Sequence, residues 1–201
     1  MTGANSLAVG DLGSAAQRDR RKRILDATTA LASRGGFDAV QMRAVAERAD
    51  VALGTLYRYF PSKIHLLVSA LQREFERTEE MLRDKPVPGH TAADRVVNVL
   101  GRTARGMQSD PQLTEALTRA FMFADASVAA EIHQVGRLLT SMVTRAMHPE
   151  DRDEVSEEDV QIARVIGDVW LSALVGWVTG RTSAAETGQQ VEVAVKLLLR
   201  D

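Results

Sequence analysis

Side chains able to bind or react are unevenly spread along this 201-residue chain, and the densest set lies near its start. Between Gly36 and Leu67 the sequence reads GFDAVQMRAVAERADVALGTLYRYFPSKIHLL. Within it Thr55, Tyr57, Arg58 and Tyr59 form an aromatic, basic and hydroxyl-bearing group, followed by Lys63 and preceded by the cluster Arg18, Arg20, Arg21, Lys22 and Arg23. Cations and hydroxyls of these types bind phosphate oxygens, and the same side chains hydrogen-bond to base edges. The charge distribution points the same way. Residues 1–63 hold ten Lys/Arg against six Asp/Glu and residues 64–201 hold fifteen against twenty-one, so a +4 front sits on a −6 body. A basic region on an acidic body is expected where a small part of a protein meets a polyanion. An excess of +4 is small, however, and gains meaning only if a motif places the cations on one surface.

Other chemistries find little support. The four histidines, His65, His90, His133 and His148, lie in separate segments, and no His-Glu-x-x-His spacing occurs. Cysteine is absent, which removes disulfides, thiolate metal sites and a cysteine nucleophile. Gly101 and Gly106 have phosphate-loop spacing without the following Lys-Ser/Thr, and no Gly-x-Ser-x-Gly elbow is present. No enzyme activity, metal or cofactor is expected. The first sixteen residues carry no long apolar run, so cytoplasm is the expected location, without a membrane role.

The elements that position the basic and aromatic group are helical, and the chain reads as all-α with about nine helices. Ile24, Ala27, Thr28 and Leu31 mark helix one, stopped at Gly35-Gly36. Met42, Val45, Ala46 and Ala49 mark a short second helix, and Asp50-Val51 a turn before a third over residues 52–59. Pro61-Ser62 interrupts, and Ser62 caps a long fourth helix to about Arg83. After a connector at residues 85–90, Thr91 and Asp94 resemble a capping box for helix five. Asp110-Pro111 starts helix six, which ends near Phe123. Asp125 caps helix seven, Ser156 with Asp159 opens helix eight, and Ser183 with Glu186 opens helix nine. Residues 1–16 read as a flexible arm, 17–61 as a helix-turn-helix unit and 62–201 as a second helical domain. In the first unit Leu56 and Phe60, at i and i+4, anchor helix three and leave Leu53, Thr55, Tyr57, Arg58 and Tyr59 partly or wholly free. Two short helices suit a major groove about 12 Å wide.

Helices eight and nine are apolar nearly all round. Val169, Leu171, Val175 and Val178, then Val193 and Leu197, are candidate interface residues for a second copy, the alternative being burial deep in one chain. Met107, Leu117, Phe121, Met122, Phe123, Met142, Trp170, Leu174 and Trp177 are candidates for lining a site for a hydrophobic small molecule, the alternative being ordinary core. The segment from Thr114 to Asp125 is the best local candidate, with Arg119 and Asp125 as its polar contacts.

GGF followed by VAERADVALGTLYRYFPSK resembles the DNA-binding signature of the TetR family. The resemblance implies an N-terminal three-helix DNA-binding domain, a variable helical ligand domain and homodimerisation through the last two long helices. Carried onto this sequence, it puts contacts with double-stranded DNA at Gln41, Met42, Arg43, Ala52, Leu53, Gly54, Thr55, Tyr57, Arg58, Tyr59 and Lys63, with Arg18 and Arg21 beside them. Family members often have Thr at Gln41, Gly at Asp50 and Ser at Ala52; the departures weaken Ala52 and favour Gln41 and Arg43. The strings GSAAQRDRRKRILDAT, TEALTRAFMFADASVA and ARVIGDVWL are similar to actinobacterial members that repress cholesterol catabolism. That likeness implies an inverted-repeat operator, control of sterol-degradation genes and release by a steroid acyl-coenzyme A thioester. The alternatives are a TetR-type regulator of another hydrophobic ligand, in efflux or fatty acid metabolism, and a helical carrier module whose basic front meets an anionic surface.

Overall fold

The computed structural model describes residues 5–83, 86–149 and 155–200. Among these residues the protein is all-α, in the order α1 (Asn5–Ala39), α2 (Met42–Arg48), α3 (Leu53–Tyr59), α4 (Lys63–Arg83), α5 (Ala92–Gln108), α6 (Pro111–Met122), α7 (Ala129–Met147), α8 (Glu157–Val178) and α9 (Ala184–Leu198). A single 3-10 turn, Ala126–Val128, precedes α7; Asp125, expected to cap helix seven itself, caps this turn by accepting from the Ser127 amide. Residues 5–16, read as part of an arm, are helical and continue into α1 with no proline between, while residues 1–4 lie outside the described residues.

Local chemistry explains most helix ends. Reciprocal capping boxes open α5 (Thr91 and Asp94), α8 (Ser156 and Asp159) and α9 (Ser183 and Glu186). Asp110 accepts from the Leu113 amide ahead of Pro111 at the first turn of α6. Helical geometry inside α1 fails at Gly35-Gly36, where Gly36 takes φ 63°. Its conformation requires glycine there, and a Cβ on Gly36 would lie 2.9 Å from Glu115 Oε2 and push that carboxylate aside.

Ile24, Leu25, Val45, Leu56, Phe60, Leu66 and Leu67 form the core of the N-terminal helices. They are continuous with Phe75, Val96, Leu100, Ile166 and Trp170 of the body, so the division at Pro61 separates the chain but not the core. Across that division, α1 and α6 share the most extensive helix packing among the described residues. Arg73 of α4 reaches Asp26 of α1 at 2.7 Å, and Glu79 of α4 receives Ser141 and Arg145 of α7. By length and composition α8 alone among the described helices is apolar enough to cross a bilayer. Its Ala163, Ile166, Trp170, Ala173 and Leu174 are instead buried in the bundle, whereas Val165 on α8 and Val193 and Leu197 on α9 are exposed.

Asp50, in the turn between α2 and α3, takes φ 51°, a left-handed conformation that disfavours side chains other than Gly, Asn and Asp. Arg23 of α1 braces the turn by donating to the Ala49 carbonyl at 2.7 Å, and the Asp50 carboxylate itself is fully exposed. Asp50→Gly should therefore remove strain of about 1 kcal/mol, partly offset by the greater freedom of glycine in the unfolded chain. The expected result is a melting temperature about 1–2 °C higher by calorimetry; a lower one would show that the turn is unstrained.

Candidate nucleic-acid interface and effector cavity

The N-terminal candidates converge on one surface. Gln41, Met42 and Arg43 from the start of α2, Leu53 and Tyr57 from α3, and Lys63 from the start of α4 line a common hollow of about 390 Å³. Leu56 and Phe60 are buried as expected, and they hold α3 so that Tyr57 and Arg58 are exposed while Leu53, Thr55 and Tyr59 are half-buried. Gln41 and Ala52 occupy the N-cap positions of α2 and α3 without side-chain capping bonds; the Gln41 amide donates to the Asp38 carbonyl instead. Ala52 and Gly54 are exposed at the start of α3.

The flanking cations divide into structural and outward-facing groups. Arg23 is committed to the α2–α3 turn, and Lys22 pairs with Asp26 at 2.8 Å. Arg18 and Arg21 are exposed, with the Arg21 guanidinium 5.7 Å from the centre of the Phe60 ring. Lys63 is half-buried with Nζ 3.8 Å above the centre of the Phe37 ring; burial lowers its pKa, and the nearby Asp38 opposes that shift.

A cavity of about 1010 Å³ opens in the C-terminal bundle, at the upper end of the range of small-molecule sites. Its walls are apolar: Leu71 and Phe75 of α4, Met107 of α5, Phe121 of α6, and Trp170 and Leu174 of α8. Phe75 and Trp170 meet edge to face with ring centres 6.0 Å apart. The exposed lining is polar, with His133 and Arg137 from α7 and Arg164 and Asp168 from α8.

Of the nine expected lining residues, Met107, Phe121, Trp170 and Leu174 line this cavity, and the others do not. Leu117 and Met142 are packed in the core. Met122 and Phe123, at the end of α6 where the chain leaves the helix, are 54% and 64% exposed. Trp177 is half-buried at the penultimate position of α8. Leu171, expected at an interface between copies, lines the cavity. Val169, Val175 and Val178 are half-buried, and Val193 and Leu197 are exposed. His133, Arg137 and Arg164 were not singled out by periodicity, because charged residues on a helix read as its solvated face.

Arg119 and Asp125 are also reassigned. Asp125 belongs to the 3-10 turn, and Arg119 lies 3.6 Å from Asp38 and 3.6 Å from Glu115, with its guanidinium 4.6 Å from the centre of the Phe37 ring. Glu115 Oε2 accepts from the Phe37 amide at 3.0 Å. One short helix, α6, thus contributes Thr118 and Phe121 to the cavity and Glu115 and Arg119 to the loop that leads into α2.

A helix-turn-helix head whose exposed polar and basic residues share one surface, joined through a continuous core to a body with an amphipathic cavity, defines a ligand-responsive DNA-binding regulator. The chain belongs to the TetR family: residues 24–70 match the family described as bacterial regulatory proteins, tetR family, and residues 89–198 match the tetracyclin repressor-like C-terminal domain. It is 59% identical to the HTH-type transcriptional repressor KstR of Rhodococcus jostii, over 98% of this chain and 91% of that protein. A TetR transcriptional regulator from Rhodococcus sp. RHA1 superposes with a TM-score of 0.83 at 32% identity, covering 92% of this chain and 98% of that one. Thermus thermophilus FadR, a TetR-family repressor solved in complex with lauroyl-CoA, superposes with a TM-score of 0.68 at 19% identity, covering 89% and 93%. The chain is a transcriptional repressor and not an enzyme.

Removing the Glu115 side chain leaves the Phe37 amide without its acceptor and Arg119 without one of its two carboxylates. Glu115→Ala should cost about 1–3 kcal/mol of stability and speed amide exchange at residues 37–41 more than in α8. Equal exchange in wild type and variant at residues 37–41 would refute this account of the loop.

Proposed function

We propose that the protein binds an inverted-repeat operator as a homodimer, represses sterol-degradation genes in the cytoplasm, and releases DNA when a steroid acyl-coenzyme A thioester enters the cavity. The observation that carries the effector half is the polarity of the cavity, apolar inside with Arg137, Arg164 and His133 at its open side. A thioester of coenzyme A has the matching asymmetry: rigid rings for the walls of Phe75, Trp170 and Leu174, and phosphates for the two guanidinium groups. Similarity to KstR and the likeness in the effector-domain strings favour a steroid acid. The lauroyl-CoA bound by T. thermophilus FadR motivates the second reading, a straight-chain acyl thioester.

On the DNA side, Gln41, Met42, Arg43, Leu53 and Thr55 read base edges, while Tyr57, Arg58, Tyr59, Lys63, Arg18 and Arg21 dock on phosphates, with the backbone at Ala52 and Gly54 close to the duplex. Two heads enter successive major grooves only if they lie about 34–36 Å apart or a multiple of it. Helix α4 carries the chain out of the head, but α6 also touches both the cavity and the α1–α2 loop, so both helices act in the switch. An effector shifts that spacing only by binding the DNA-incompetent state more tightly.

The second copy covers Val165, Val193 and Leu197, the exposed apolar side chains of α8 and α9. Leu197→Asp should place a charge in that contact and give monomers by sedimentation at micromolar concentration; a dimer unaffected by this change would move the interface elsewhere. The switch is tested by operator release against steroid thioesters, free steroids and straight-chain thioesters, with ligand affinity measured with and without operator. A coupling of about 1–3 kcal/mol predicts a 5- to 150-fold loss of operator affinity, and an equal loss of ligand affinity on the operator. Free steroid should act more weakly than its thioester. Release by straight-chain thioesters alone would favour the second reading, and ligand affinity unchanged by operator would refute the switch.

A further inference from the structure

Two cations share one aromatic ring where the body touches the head, and a carboxylate stands beside them. Lys63 places its ammonium 3.8 Å from the centre of the Phe37 ring, and Arg119 places its guanidinium 4.6 Å from it. Asp38 pairs with Arg119 at 3.6 Å. Arg119 has a second carboxylate, Glu115, also at 3.6 Å, whereas Asp38 has no other ion pair among the described residues. Lys63 has no ion pair at all among them. It is nevertheless within electrostatic reach of both neighbours: burial is the main cause of its lowered pKa, and beyond that Asp38 attracts the ammonium while Arg119 repels it. An acid in this place works against an interface with a polyanion. Asp38 is 83% exposed, and its carbonyl accepts from Gln41, which lines the hollow with Arg43, Tyr57 and Lys63. A bare carboxylate there repels a duplex and competes with phosphate for the nearest ammonium.

We propose that Arg119 is a positioning residue for DNA docking: by holding Asp38 it keeps that carboxylate from Lys63 and leaves the Lys63 ammonium free for a backbone phosphate. The inference rests on the reading of Lys63 as a phosphate contact. At 3.6 Å the Arg119–Asp38 contact is longer than a hydrogen bond, and an exposed pair of this kind is weak, so it yields to a small movement. Arg119 belongs to the body, and α6, which carries it, also walls the cavity at Phe121. A shift of α6 that withdraws Arg119 hands Lys63 to Asp38, and this exchange of partners takes a cation away from the duplex.

The test measures the affinity of the full-length protein for two duplexes across a salt series, one from the region upstream of its own gene and one of the same length and scrambled sequence. Each phosphate contact contributes about 0.9 to the slope of log affinity against log salt. Arg119→Met should weaken binding to both duplexes and flatten the slope by about 0.9 per head. Asp38→Asn added to Arg119→Met should restore affinity and slope, and Arg119→Lys should retain them. A merely structural role for Arg119 gives no such rescue, since removing the second partner does not repair a loosened loop. An unchanged slope in Arg119→Met, a loss confined to the upstream duplex, or a failure of Asp38→Asn to restore binding overturns the inference. Lys63→Ala separates the inference from the reading beneath it. If Lys63→Ala flattens the slope and Arg119→Met does not, only the role of Arg119 falls. If Lys63→Ala leaves the slope unchanged, the phosphate reading falls and this inference with it.

Discussion

Head and body share a continuous core, and at a break in α1 one hydrogen bond fixes how the chain leaves that helix for α2. Gly36 reverses the chain in a left-handed conformation, and the next amide, on Phe37, is received by Glu115 of α6. The two are coupled, because a Cβ on Gly36 would lie 2.9 Å from the carboxylate and force it to shift. Around this point Lys63 and Arg119 both sit against Phe37, so cations from α4 and α6 meet on one ring contributed by the end of α1. The start of α2, where Gln41 and Arg43 stand, follows within a few residues. Its position is therefore set by a helix of the effector body as much as by its neighbours in the head.

That arrangement gives the cavity a mechanical connection to the helix-turn-helix head that needs no long chain of contacts. The same three turns of α6 present Thr118 and Phe121 to one side and Glu115 and Arg119 to the other. A rotation or translation of this helix is felt at both. Coupling through a rigid element with two packed environments is the simplest physical form that linkage between two sites takes.

What was legible in the sequence was local. Capping boxes, the Asp110-Pro111 start, the Gly35-Gly36 stop and the i, i+4 anchors Leu56 and Phe60 involve residues within one or two turns of each other, and the structure has them as read. The surface shared by Gln41, Arg43, Leu53, Tyr57 and Lys63 was legible through its resemblance to a family signature. The cavity was legible only in part, because whether an apolar side chain meets a void, a neighbour or solvent depends on how helices cross. Met142 and Phe123 have similar character, yet one is core and the other faces water. Leu171 turned toward the cavity for the same reason, and Arg119 found Asp38 across the chain where a ligand had been expected.

The two short helices of the head, α2 and α3, are seven residues each. Segments of that length do not hold helical structure by themselves in water, where about 12–15 residues are needed for even marginal stability. Their order is borrowed from Ile24 and Leu25 of α1, Leu66 and Leu67 of α4, and the brace that Arg23 and Glu115 supply. The head that looks like a detachable module along the chain is thus tied to the body by a shared core and by Glu115. A chimera that grafts these helices onto a foreign body inherits their DNA preference only if the new body also provides a carboxylate where α6 meets the glycine break.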